Sequence, residues 1–133
     1  MKINNREGFT LIELLGVIVI LSVIVMITVP IVQAKITESR KNAFLASVNG
    51  YVRASRIKNT EEGTTKFQIA DENITPEVDY KGEVQGQGVI EYNSLGKVKV
   101  NVWNGTYCAV KAYEDADVQL KSDIQDYTAC MNA

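Results

Sequence analysis

Apolar positions are spread very unevenly along the chain. Residues 1 to 8, MKINNREG, are short and polar, and the sequence turns abruptly apolar at Phe9. From Leu14 to Ala34 there are 21 residues without a charge, closed by Lys35. At about 1.5 Å per residue a helix of that length is about 31 Å long, enough to cross the hydrocarbon layer of a bilayer. In lipid every backbone N–H and C=O must find its partner inside the segment, so the stretch reads as helix despite its many Ile and Val. Pro30, near the far end, lacks an N–H donor and is expected to bend or loosen that turn.

A second helical pattern follows without a strong break, from Ile36 to about Asn59. Phe44, Val48, Tyr51 and Val52 recur at spacings of three and four and mark one apolar stripe, which Ile57 extends less regularly. Gly50 weakens this stretch by about 1 kcal/mol relative to Ala without ending it. The expected element is one long helix, membrane-spanning in its first half and amphipathic in its second. Its stripe requires cover from further along the chain.

Thr60 to Gly88 reads as a connector with glycines at 63, 82, 86 and 88, Pro76, and a short candidate strand at Lys66–Ala70. Beyond it, Val89–Tyr92, the turn Asn93-Ser94-Leu95-Gly96, and Lys97–Trp103 read as strand, turn, strand. Asn104-Gly105 is a two-residue hairpin signal because both positions need positive φ, and Thr106–Tyr113 is the returning strand. Val98, Val100 and Val102 alternate with Lys97, Lys99 and Asn101, so one face is buried. A two-residue loop would pair Val102 with Tyr107 and Val100 with Ala109. The valine face is the natural cover for the helix stripe, and Cys108 then points to the opposite side. Asp115 to Ala133 is acidic, read as a short helix or turn ending in Cys130.

Charge sharpens this division. The net charge of −2 is too small to imply a polyanionic partner. Between Lys35 and Lys58, however, six basic residues face the single acid Glu38, a net +5. From Asn59 onward six lysines face thirteen acids, a net −7. A basic stem and an acidic head allow opposite-sign contacts between copies of the chain; the plainer reading is a solvated helix face. Histidine is absent, which removes the commonest general base and metal ligand. Nothing in the sequence supports nucleic acid as a partner, and the basic residues leave that question open.

Gly8-Phe9-Thr10-Leu11-Ile12-Glu13 resembles the class III signal of type IV prepilins and pseudopilins. In that family a prepilin peptidase cuts a short basic leader after its Gly, the new N-terminal residue is methylated, and a Glu stands four residues further on. The resemblance implies cleavage between Gly8 and Phe9, N-methyl-Phe9, and Glu13 and Pro30 as the family's assembly glutamate and helix-bending proline. It covers roughly residues 6 to 32; Ser22 departs from it, standing where many members have a glycine. A carboxylate at membrane depth is disfavoured by a few kcal/mol and needs a partner. No cation lies between Phe9 and Ala34; cleavage after Gly8 creates one in the Phe9 amine. The resemblance implies that Glu13 neutralises the N-terminus of a neighbouring copy and sets the axial register. The alternatives are a pair with its own Phe9 amine, or a protonated carboxyl.

An even cysteine count in a chain with an export segment reads as a disulfide, Cys108–Cys130, and the alternative is two reduced, buried thiols. In the family such a bridge often pins the C-terminal region. Glu114, Asp115, Asp117 and Asp123 suggest calcium, but their spacing lacks the glycine and terminal glutamate of an EF-hand, so a solvated acidic loop is expected. Asn73-Ile74-Thr75 and Asn104-Gly105-Thr106 match glycosylation acceptors, and turn chemistry explains both. Two other readings of the N-terminus are a secretory signal cut after Val32-Gln33-Ala34, which the length of the apolar run opposes, and a plain signal anchor. The lysines and arginines that follow the apolar run would not by themselves choose the N-in orientation the pilin reading requires.

The expected fold is α+β and type IV pilin-like: a long N-terminal helix packed on a small antiparallel sheet, with a disulfide-pinned tail. The expected organisation is a leader at 1–8, an apolar transmembrane and filament-core helix at 9–34, its amphipathic half at 35–59, and a β head at 60–133. No catalytic residues, metal ligands or cofactors are expected, because no nucleophile–base pair, phosphate-cradling loop or ligand cluster occurs. The resemblance implies the major pilin of a type IV pilus, serving adhesion, motility or DNA uptake. The alternatives are a pseudopilin of a type II secretion or competence machine, and a membrane-tethered binding module. Expected partners are further copies in a helical filament, prepilin peptidase, the pilus assembly platform and the membrane. The precursor would be a single-pass protein of the cytoplasmic membrane, later part of an extracellular filament.

Overall fold

A computed structural model of the chain describes residues 8–133. Most of the 1–8 leader therefore lies outside the described residues. A 52-residue helix, α1 (Leu11–Glu62), is followed by β1 (Lys66–Ala70), β2 (Asn73–Thr75), β3 (Gln87–Tyr92), β4 (Val98–Trp103), β5 (Cys108–Lys111), β6 (Gln119–Lys121) and a short α2 (Tyr127–Met131). The chain divides into two compact units, Met1–Ser39 and Arg40–Ala133.

In the first unit α1 stands alone. Helical structure continues through Pro30, whose ring nitrogen cannot donate to the Met26 carbonyl. The hydroxyls of Ser22 and Thr28 fold back onto the carbonyls of Val19 (2.7 Å) and Ile24 (3.0 Å), so these polar groups are satisfied inside the helix. The large apolar side chains from Leu11 to Val32 are 44–86% exposed.

In the second unit six antiparallel strands form one sheet in the order β2-β1-β3-β4-β5-β6. One sheet face takes the α1 stripe. Phe44, Val48, Tyr51 and Val52 share a core with Phe67, Ile69, Ile90, Tyr92, Val98, Val100 and Val102, as the valine alternation predicts. Ile57 does not extend the stripe; it is 58% exposed, and Ala54 and Ser55 take the buried positions. Ser55 is a polar residue in a dry place. Its hydroxyl hydrogen-bonds the Tyr92 hydroxyl (2.9 Å), and Tyr92 in turn donates to the Val52 carbonyl (3.0 Å), so no polar atom of the pair is left unmet. Gly50 also has a reason to be there. A Cβ at that position would come within 2.7 Å of the Tyr80 ring, which packs edge-on against Tyr51 with centroids 4.8 Å apart.

Two details differ from the sequence expectation. The β4–β5 hairpin turns one residue later than Asn104-Gly105 suggests. Trp103 pairs with Cys108 and Val102 with Ala109, Asn104 donates its N–H to the Tyr107 carbonyl, and Gly105-Thr106 form the tip. Only Gly105 has positive φ (93°); the Asn104 side chain instead accepts from the Thr106 and Tyr107 N–H groups. The register is thus two residues from the expected Val102–Tyr107 pairing, and because side chains alternate with period two the valine face is unchanged. The expected connector at 60–88 also holds a hairpin. Asp71 and Glu72 both adopt positive φ (49° and 61°) and join β1 to the edge strand β2, a turn without the usual glycine.

Tyr51 supplies a solution test. Burial pushes its hydroxyl above the ordinary value of 10.0, against the opposing effect of its hydrogen bond with Gln85, whose N–H it accepts at 2.8 Å. The folded state holds this tyrosine neutral. Its contribution to stability is therefore complete below pH about 10, and is lost as pH rises through the unfolded value and on through the raised folded one. Denaturant titrations of the detergent-solubilised chain from pH 8 to 12 should show this fall, and Tyr51→Phe should flatten it.

Candidate assembly site at the start of the apolar helix

The first turn of α1 is organised by two residues. Thr10 precedes the first helical residue, and its hydroxyl accepts the Glu13 N–H at 3.3 Å. Glu13 reaches back, its Oε2 accepting the Thr10 N–H at 3.2 Å. This is a capping box, in which two N–H groups at the helix start satisfy each other's side chains. The Leu14 N–H bonds the Thr10 carbonyl at 3.2 Å and opens the ladder. The carboxylate also sits at the positive end of the helix dipole.

Glu13 is thus placed on Thr10, one residue along from Phe9. The T-x-x-E spacing of Thr10 and Glu13 is itself a helix-start signal, and it accounts for a partner of Glu13 other than the Phe9 amine. Phe9 is 92% exposed and precedes the helix, and Pro30 lies between about four and five turns along α1 from Glu13. The structure brings Glu13 and Thr10 together, and it does not bring Pro30 to them.

The other predicted pair, Cys108 and Cys130, is joined, with Cα atoms 5.6 Å apart. The bridge lies on the sheet face opposite α1, where both cysteines and Val110 pack with Trp103, Ile124 and Met131. Closing a loop of this length stabilises by about 3 kcal/mol in the chain-entropy account. A second clamp was not legible: Asn101 is buried, and its amide donates to the Cys130 carbonyl at 2.8 Å and the Ala133 carbonyl at 3.3 Å. Its place in the Lys-Asn alternation of β4 marked it as facing away from α1 but not as having a partner. The acids of the tail have local tasks. Glu114 pairs with Lys97 (2.8 Å), Asp115 accepts the Ala112 N–H, and Asp126 caps α2. Among the described residues no group of three or more His, Cys, Asp or Glu is placed to hold a metal.

What fold and site define together is a protein with a bare apolar helix, long enough to span a membrane and capped by one carboxylate, and a disulfide-bridged β head. Residues 3–29 match the family model described as the prokaryotic N-terminal methylation motif, the class III prepilin signal of type IV pilins. That motif supports a type IV pilin-like protein, and with the apolar helix it fits a membrane-anchored precursor. No curated protein matches the chain, and no solved structure does.

The capping box has a measurable consequence. Thr10→Ala should fray the first turn by about 1 kcal/mol. Amide exchange at Leu11 to Leu14 should accelerate several-fold in micelles, with exchange beyond Gly16 unchanged. Thr10→Ser should behave like the unsubstituted chain.

Proposed function

We propose that the chain is the major structural subunit of a type IV pilus, made as a membrane precursor and polymerised through α1. The observation that carries this reading is the prepilin signal placed at the head of an apolar helix that the described residues leave uncovered. Such a surface is stable only where something apolar replaces water. Lipid does so before assembly, and other copies of α1 do so afterwards. On this reading residues 1–8 are removed between Gly8 and Phe9, Phe9 is N-methylated, residues 9–34 form the filament core, and residues 35–59 carry a head formed by 60–133. The protein is structural and not an enzyme, and its partners are prepilin peptidase, the assembly platform and further copies of itself.

Glu13 then has two successive roles. In the precursor its carboxylate is satisfied by the Thr10 N–H. Cleavage makes a cationic amine at Phe9, a stronger partner for a carboxylate than a neutral amide. As copies come together the carboxylate serves the amine of a neighbour, and Pro30 lets the helix adjust as the core packs.

Intact mass of the mature chain should place its start at N-methylated Phe9; a start at Lys35 would show cleavage by signal peptidase and end the pilin reading. Glu13→Ala should be cleaved normally yet yield at least about tenfold fewer filaments, since losing about 1.4 kcal/mol per contact already costs a factor of ten. Normal filaments from that variant would remove Glu13 from assembly. Long surface filaments built mainly of this chain distinguish the major pilin, whereas short stubs would assign a pseudopilin of a secretion or uptake machine.

A further inference from the structure

The second unit carries opposite charge in grooves at its two ends. β4 runs from Val98 to Trp103, about 17 Å at 3.3 Å per residue. At the Val98 end, Arg53 and Arg56 of α1 and Lys111 of β5 line a groove floored by Val52, Val98 and Val118, with Asp117 as the one acid in its lining. Arg53 and Arg56, three positions apart, are exposed on one helix face. At the Trp103 end, Asp71, Glu72 and Glu83 line a second groove with Trp103 and Tyr127, and no basic side chain contributes to it. Among the described residues none of Arg53, Arg56, Asp71, Glu72 and Glu83 takes part in an ion pair.

The two grooves are separated along α1 as well as along β4. Phe44 and Arg40 border a groove with Asn104 and Tyr107, near the Trp103 end, whereas Arg56 lies with Val98 and Lys111. The twelve residues from Phe44 to Arg56 advance about 18 Å along the helix axis. Two copies with parallel α1 helices, displaced along that axis, therefore present the basic groove of one to the acidic groove of the next. The acidic groove suits arginine in two ways, because carboxylates accept its planar fork and the aromatic faces of Trp103 and Tyr127 can stack on it.

We infer that the groove of Arg53, Arg56 and Lys111 docks the Asp71, Glu72, Glu83 end of a second copy of this chain, as an axial contact between heads. The inference rests on the filament reading above. The contact joins two different patches head to tail, and because successive copies are displaced along the α1 axis it repeats as an open helical array and not as a ring. Isolated exposed ion pairs contribute little, but Arg53 and Arg56 meeting three carboxylates beside aromatic rings form a network that selects one register. Lys111, whose ammonium donates to the Val98, Ala112 and Asp115 carbonyls, adds its positive field.

The test uses the full-length chain in cells that assemble it. Arg53→Glu/Arg56→Glu and Glu72→Lys/Glu83→Lys should each reduce filament yield at least tenfold, while the chain reaches the membrane at normal levels with its disulfide formed. Combining the two pairs should restore yield to within about threefold. Arg56→Cys/Glu83→Cys in one chain, which leaves Arg53, Asp71 and Glu72 in place, should give a ladder of cross-linked multimers on oxidation, and either single cysteine should not. Filaments of normal yield from both reversed pairs, or filaments from the double-cysteine chain without a ladder, would overturn the contact and leave the pilus reading standing. So would a result in which reversing the arginines abolishes only retention of double-stranded DNA. Absence of filaments and ladder from chains bearing no charge reversal would overturn both.

Discussion

The apolar surface of α1 must leave water twice, by two different means. From Arg40 onward one stripe of the helix is apolar, and a single sheet face covers it: Phe44, Val48, Tyr51 and Val52 meet the valines of β4. From Leu14 to Val32 the helix is apolar on every side, and the described residues supply no cover. A helix apolar all round is stable only inside a bilayer or among other such helices. That single demand for an apolar environment is what fits the chain to a membrane-anchored precursor.

The polar groups within these apolar surroundings obey the complementary rule. Each has a partner: Ser22 and Thr28 bond back into the helix, Ser55 and Tyr92 satisfy each other, and Asn101 holds the tail. Glu13 follows the same rule through Thr10. A carboxylate paired with a neutral amide remains open to a better, cationic partner. The capping box thus gives α1 a well-formed start and leaves the Glu13 carboxylate partnered there.

Much of the fold was legible because its signals are periodic. The uncharged run, the three-and-four spacing of the stripe and the alternation of Val98, Val100 and Val102 each gave the correct element and face. Turn chemistry was read less well. Asn104-Gly105 signalled a hairpin, yet Asn104 caps the turn with its side chain instead of forming its tip. Asp71 and Glu72 turn the chain without a glycine, so β2 carried no signal, and the three-residue β6 is too short to show a period. At the helix start the capping partner of Glu13 was not legible, since T-x-x-E lies inside the longer GFTLIE string.

The sequence by itself determined where the chain becomes apolar, where it carries the class III signal, and which helix face the head covers. These properties are local, written in residue type and spacing within one or two elements. Only the tertiary structure decided that Asn101 holds the tail to the sheet face that carries the Cys108–Cys130 bridge. It alone set Arg53, Arg56 and Lys111 at one end of β4, and Asp71, Glu72 and Glu83 at the other. Those groupings join residues up to about sixty positions apart, and strand pairing rather than spacing brings them together.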